Sequence, residues 1–380
     1  MIIIKRLIIL FMIISFSKSD QKLKSWEESS VQIKVENAID AIYNYEFETS
    51  ISLLDSARSL DATHPLIPFL TIVAKWLNTQ VNEGYMASYQ KIFIEVDSII
   101  PIYNNLIDSY PNNAEYYLYL GCTYGIRSRV SLAKNDWFDT IYYGYQGLKL
   151  IKYAKSLDEE LYDVYMPIGI MEYIACMAPK PVQWVAALLD IDSNCEMALE
   201  HLNLAITDSY YSWVEASNVI TYIYLHILRD YDKALKVINP LVKKYPRHPF
   251  FSFLKAEALV KLNYIDELEK MMPTLVNFSQ NGPFLQKNES QLKLAYIRSI
   301  IMFNKNRYEE AIKQTNWIIN NYHMEFNWLK GFAFLIKGKS YDLIGDRNEA
   351  IKAYKKVLEI DDYYPEVKEA RLLIKNKYIK

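Results

Sequence analysis

Glycine is scarce, with ten in 380 residues. That excludes a β-rich fold, which needs many tight turns. Charge of one sign is missing too: 43 Lys and Arg against 45 Asp and Glu leave a net charge of -2, with an isoelectric point near 6.3. A protein that neutralises nucleic-acid phosphates carries a basic footprint instead, so no nucleic-acid partner is expected. Beyond the N-terminal leader no apolar run approaches the ~20 residues that a membrane-spanning helix requires. The five histidines (His64, His201, His226, His248, His323) are scattered, and none sits in an HExxH or Cys/His cluster. There is no glycine-rich loop ending in Lys-Ser/Thr and no GxSxG elbow. No catalytic residue, cofactor or metal is expected.

Hydrophobic residues make up 51% and charged residues 23%, enough for a substantial core in an all-helical chain. The C-terminal segment from Gly338 to Glu366 carries an ordered pattern: Phe334, Gly338, Tyr341, Gly345, Ala350, Tyr354, Val357 and Pro365. Small residues at 338 and 350 let two antiparallel helices cross closely. Tyr341 and Tyr354 fill the space beside the crossing, and Gly345 relieves the chain where the first helix ends. Worn copies lie upstream: Phe47, Ser50, Leu54 and Ala57; Ala198, Leu202 and Ala205; Tyr231, Ala234, Ile238 and Pro246; Tyr308 and Ala311. A weak copy has Leu268 at the small position, and a first helix reads through Tyr117, Leu120, Gly121 and Tyr124.

This pattern resembles the tetratricopeptide repeat, a helix pair recurring every ~34 residues that serves to hold partners. The resemblance implies an all-α fold, an α-solenoid with a right-handed superhelix of six to eight antiparallel pairs. It would fill residues 20–380, with a cap helix at 365–380. The polar stretch 276–290, with Gly282-Pro283, reads as a long loop or sub-domain boundary.

The first nineteen residues read differently. Lys5 and Arg6 precede an apolar run from Leu7 to Phe16, followed by Ser17-Lys18-Ser19 before Asp20. That is the order of a secretory signal, placing the mature chain in the periplasm or outside the cell. The alternative is an uncleaved N-terminal anchor.

Cys122 follows Gly121 and reads as a packed thiol. Cys176 and Cys195 bracket an insertion and either pair in an oxidising compartment or stay as buried thiols. Around them Gly169, Pro179 and Pro181, Trp184 to Leu189, Asp190 to Asn194, and Ala198 to Leu202 resemble the middle of the tetratricopeptide-repeat protein 39 and yeast inclusion-body-clearance family. That resemblance implies a helical repeat without assigned catalysis. Asp190, Asp192 and Asn194 have calcium-loop spacing, but Cys195 stands where the turn needs Gly and His201 where a bidentate Glu is required. Helix capping explains them better.

First helices line the concave side of this repeat. The inner positions are Leu118, Met166, Tyr173, Val219, Ile223, His226, Phe250, Phe253, Tyr296 and Phe303. They are too poor in Lys, Arg and Asn to clamp a carboxylate. They are either an apolar groove for a peptide or helix, or core buried by tight curvature. Two functions follow. One is an exported scaffold that binds a protein or peptide partner without a covalent step. The alternative is an accessory binding protein for a small apolar ligand, or an envelope transporter component, with a sealed cavity in place of a groove. An enzyme is a distant third.

Overall fold

A computed structural model describes residues 30–380, and the expected leader lies outside them. Every regular element among the described residues is helical. The chain forms two compact units, the first ending at Ile220 and the second covering Thr221–Lys380. The first unit contains α1 (Ser30–Tyr43), α2 (Phe47–Leu60), α3 (Leu66–Glu83), α4 (Tyr85–Ser109), α5 (Ala114–Ala133) and α6 (Trp137–Leu157). A 3-10 turn (Tyr162–Val164), α7 (Tyr165–Met177), the short α8 (Lys180–Leu188) and α9 (Cys195–Asp208) follow. Helix α10 (Trp213–Ile223) crosses the division and continues as a π-helical turn, Tyr224–Leu228. The second unit goes on with α11 (Tyr231–Lys244), α12 (Pro249–Lys261), α13 (Ile265–Gln280), α14 (Phe284–Asn304), α15 (Tyr308–Asn320), α16 (Trp328–Ile344), α17 (Arg347–Val357) and α18 (Pro365–Lys375).

The same turn recurs between paired helices. Tyr45, Asn135, Arg229, Asn263 and Asn306 all have φ between 55° and 63°, and Gly345 has φ 94°. In each case the next residue begins the second helix as its N-cap. Its backbone N–H reaches back to a carbonyl near the end of the first helix: Asp136 to Ser131 at 2.9 Å, Tyr264 to Leu259 at 2.9 Å, Arg307 to Met302 at 2.9 Å and Asp346 to Tyr341 at 2.9 Å. This is the Schellman closure, in which one left-handed residue lets orphan carbonyls be satisfied. Asn tolerates that conformation nearly as well as Gly because its short amide bonds locally. Where the N-cap is Asp136, Asp230 or Asp346, the carboxylate also accepts a hydrogen bond from the N–H three residues on.

Second helices bury a common face. Ser50, Leu54 and Ala57 in α2, Ala198, Leu202 and Ala205 in α9, Ala234, Ile238 and Leu241 in α11, and Ala350, Tyr354 and Val357 in α17 are each shut off from solvent. Positions i, i+4 and i+7 form one helical stripe, and the small first residue is where the partner helix crosses. At Gly338 a Cβ would come within 2.4 Å of the Tyr354 ring, so that glycine is required by close approach.

Two expectations need correction. The stretch 276–290 is no long loop: α13 runs to Gln280, α14 starts at Phe284, and both belong to the second unit. Its polar residues are the solvent faces of two helices, and Gly282, at φ 105°, makes the turn before Pro283 caps α14. The terminal helix ends at Lys375, and the Tyr378 N–H instead donates to Asp342 at 2.9 Å. Helix α18 is therefore a shorter cap than the expected 365–380, and it is tied down. Arg229 pairs with its Glu366 at 2.8 Å and Glu369 at 3.0 Å, and Val367 and Ala370 are buried.

Two histidines hold their units together as neutral rings. The Nδ1 of His64 accepts from the Leu66 N–H at 3.3 Å while its Nε2 faces the Gln32 carbonyl oxygen at 3.0 Å. His248 caps α12 by accepting the Phe251 N–H at 3.3 Å. Burial pushes His64 down to about 4 and His248 down to about 3. An unfolded histidine takes up its proton near pH 6.5; these two resist it, so their contribution is complete above pH 6.5 and is lost as the pH falls toward 4 and 3. We expect urea-unfolding stability to drop by about 2 kcal/mol per histidine between pH 7 and pH 5. The substitutions His64→Gln and His248→Asn should flatten that slope; an unchanged slope in both variants would show that neither ring is neutral in the fold.

Candidate functional site

Eight of the ten inner-face residues are core. Leu118, Met166, Tyr173, Val219, Ile223, His226, Phe253 and Tyr296 are buried, and Phe250 and Phe303 are half-buried. Of the two readings, groove or buried core, burial favours core for these eight. In the second unit the reason is visible: the His226 ring sits 4.8 Å from Trp328 and 5.6 Å from Phe332, and Tyr296 lies 6.3 Å from Phe332. The first helices curve so tightly that their inner aromatics meet one another. His226 Nε2 also contacts Glu257 at 3.1 Å. Burial works against the Glu257 charge, yet His226, Lys261 and Tyr296 together hold its carboxyl below the usual range. The His226–Glu257 pairing uses one atom of each group, and His226 Nδ1 and Glu257 Oε1 stay buried without a hydrogen bond among the described residues.

The cavity lies elsewhere, in the first unit. Helices α5, α6, α7 and α8 surround about 200 Å³ of space. Its floor reaches Phe69 of α3, which is 3% exposed. The walls include Ile126, Leu148, Ile151, Met166, Ile174 and Val185, and no charged side chain lines it. Ser128 and Thr140 are on the wall, but Ser128 Oγ donates to the Thr140 carbonyl at 2.7 Å and Thr140 Oγ1 to the Asp136 carbonyl at 2.5 Å. Cys122 also lines it, and burial, with Asp163 adding to it, pushes its thiol up to about 12. The thiol therefore stays neutral and behaves as a small apolar group. Leaving such a volume empty costs on the order of 5 kcal/mol at ~24 cal/mol per Å³.

Glycines shape this space. A Cβ on Gly121 would lie 2.7 Å from the Gly147 carbonyl oxygen, and one on Gly147 would lie 2.6 Å from that of Gly121. The α5 and α6 backbones thus touch directly, which their neighbours on α7 and α8 cannot match. Helix α8 forms the outer wall through Val182, Val185 and Ala186, and three bonds fix it. Cys176 at the end of α7 is disulfide-bonded to Cys195 at the start of α9, with Cα atoms 5.3 Å apart. Gln183 donates to the Cys176 carbonyl at 2.8 Å and the Ala178 carbonyl at 3.0 Å. Lys152 of α6 holds Asp190 through both its carboxylate and its backbone carbonyl. Asn194 then caps α9 by accepting the Glu196 and Met197 N–H groups, so the acidic turn is used for capping.

Elsewhere on α6 and α8, as well as at the mouth, apolar side chains face water. Phe138, Ile141, Tyr142 and Tyr145 on α6 are 79%, 56%, 48% and 37% exposed, and Trp184, Val185 and Leu188 on α8 are 67%, 45% and 67% exposed. Ile141, Tyr145 and Val185 belong to both rim and wall. Sequence reasoning passed over these residues, although two signals were present. Positions 138, 141, 142 and 145 form a helical i, i+3, i+4, i+7 stripe on a second helix whose other face is already core. Four of the ten glycines (Gly121, Gly125, Gly144, Gly147) also fall within this one helix pair.

Residues 332–361 match the tetratricopeptide repeat family model. They cover most of α16 and all of α17, the pair whose pattern is least worn. No curated protein matches the chain. Similar solved structures include the crystal structure of yeast Tom70, at 14% identity and TM-score 0.32, covering 94% of this chain and 72% of that one. Another is the crystal structure of the P58(IPK) TPR domain, at 13% identity and TM-score 0.21, covering 93% of this chain and 100% of that one. The all-α architecture of helix pairs rests on the coordinates themselves.

The disulfide closes a loop of sequence separation 19, which is worth about 3 kcal/mol through restriction of the unfolded chain. The double substitution Cys176→Ser, Cys195→Ser should lower stability by about that amount and speed chymotryptic cleavage after the exposed Trp184 in native buffer. Equal denaturant midpoints for the variant and the oxidised protein would show that the bond does not hold α8.

Proposed function

We propose that this chain is an exported, non-catalytic repeat protein that holds a protein partner against the apolar rim of α6 and α8. One observation carries the reading: seven large apolar side chains on these two helices, Phe138, Ile141, Tyr142, Tyr145, Trp184, Val185 and Leu188, face solvent, and Ile141, Tyr145 and Val185 also line the cavity between them. Contiguous exposed apolar surface of this kind marks interaction sites, and Trp and Tyr are the residues that dominate binding energy at them. The rim is a row on one helix facing a short second helix, which suits the apolar face of an amphipathic partner helix. An all-α repeat with a tetratricopeptide match suits a protein-interaction scaffold, and a partner held this way requires no covalent step.

The segment carrying α7, α8 and α9 is the one whose sequence resembles the tetratricopeptide-repeat protein 39 and inclusion-body-clearance family, which points toward binding without catalysis. Export is supported by the leader pattern of residues 1–19 and by the Cys176–Cys195 bond, since disulfides persist in oxidising compartments. No described helix is long and apolar enough to cross a membrane.

Two measurements test this. The chain and its Phe138→Glu, Trp184→Glu variant, immobilised and exposed to the native envelope fraction, should differ in one retained protein, whose affinity falls by about 30-fold or more in the variant. Equal retention by both proteins would remove the rim from the reading. N-terminal sequencing of the native protein should begin at Asp20; a cytosolic chain with residues 1–19 intact would rule out export.

A further inference from the structure

Gly125 stands in the middle of α5, where glycine is less favourable than alanine because it adds backbone freedom to the unfolded chain and no packing to the folded one. Gly121 and Gly147 are explained by the contact they allow. Gly125 is not: nothing lies within 4 Å of the position its Cβ would occupy. That position opens on the cavity, which Gly125 lines. The missing side chain therefore keeps volume free and serves no contact between helices.

The chemistry of the walls says what could fill that volume. The cavity has no charged lining. Of its three wall hydroxyls, those of Ser128 and Thr140 already donate to backbone carbonyls, and that of Tyr145 belongs to the partly exposed mouth. Past the mouth a polar atom would meet no free hydroxyl to replace water, so hydrocarbon enters there with least loss. A cavity of about 150 Å³ lined by apolar side chains holds benzene; by proportion, the present one, about 200 Å³, takes about eight carbons. Its mouth opens among Ile141, Tyr145 and Val185, which are themselves partly exposed, so a polar end can remain in water while the tail descends toward Phe69.

We infer that the space enclosed by α5, α6, α7 and α8 is a binding site for the hydrocarbon tail of a small amphiphile, an unbranched chain of about eight carbons whose polar end stays at the rim. No charged group lines the site, so it selects chain length and not head charge. Gly125 sets the depth of the site. The cavity can take such a chain whether or not the rim docks a protein.

The test uses the full chain, stripped of lipid in detergent and refolded, with 1-alkanols from butanol to dodecanol titrated into it by calorimetry. Binding should be saturable at one site per chain and tighten roughly fourfold per methylene, reaching a plateau near eight carbons. Gly125→Leu should abolish saturable binding while its melting temperature stays equal or rises. Gly125→Ala, the gentler change, should raise the melting temperature and shorten the plateau by about one methylene. Trp184→Glu on the rim should leave alkanol binding intact, which separates failure of the tail site from failure of partner docking. Affinity that keeps rising from octanol to dodecanol, or that is unchanged in a folded Gly125→Leu or Gly125→Ala protein, would overturn the site.

Discussion

The backbone contact between Gly121 and Gly147 is the constraint from which the first unit's functional region follows. Each carbonyl occupies the place where the other residue's side chain would begin. No other residue type permits that approach, so this contact fixes how closely α5 and α6 pack. The cavity lies beside it, lined by Gly121 and Gly147 together with residues of α7 and α8, while Phe138, Ile141, Tyr142 and Tyr145 on α6 face solvent. The apolar interior and the apolar rim thus share one helix pair.

The second unit spends its aromatic residues differently. Tyr222, His226, Tyr296, Trp328, Phe332 and Tyr364 are all buried, and their rings meet edge to face or tilted at 4.5 to 6.3 Å. Such packing favours a filled core over an open surface. Charged residues are drawn into the same interior, and they stay charged only because they are paired. Arg229 and Lys339 share Glu369, and burial of that carboxyl is outweighed by the two cations, which hold it below the usual carboxylate range. These pairs attach α18 and finish the unit. In one unit the repeat encloses space, and in the other it eliminates space.

Much of the architecture was legible in the residues. The small-large-small stripes at Ala198, Leu202 and Ala205, or at Ala350, Tyr354 and Val357, announce a buried helical face because a crossing helix requires them. Asp346 and Gly345 announce a turn. The turns at Tyr45, Asn135 and Arg229 were harder to read, since the left-handed residue is supplied there by side chains that also occur in helices. Whether the inner-face residues form groove or core was not legible, for a definable reason. A first helix in an open repeat and one in a tightly curved repeat carry the same apolar inner face, and curvature is a sum of small rotations that no single residue encodes.

The sequence by itself determined the helix pairs and where they cross closely, because helical periodicity and close-approach glycines are local signals. It also offered Cys176 and Cys195 as a pair. Only the tertiary structure decided which apolar faces are covered, because burial depends on neighbours distant along the chain. Phe138 and Phe253 are alike as residues, but the first lies on an uncovered stripe of α6 and the second among the converging helices of the second unit. Gly125 is the sharpest case. It reads as one more small residue of a repeat until the fold shows that nothing was placed against it.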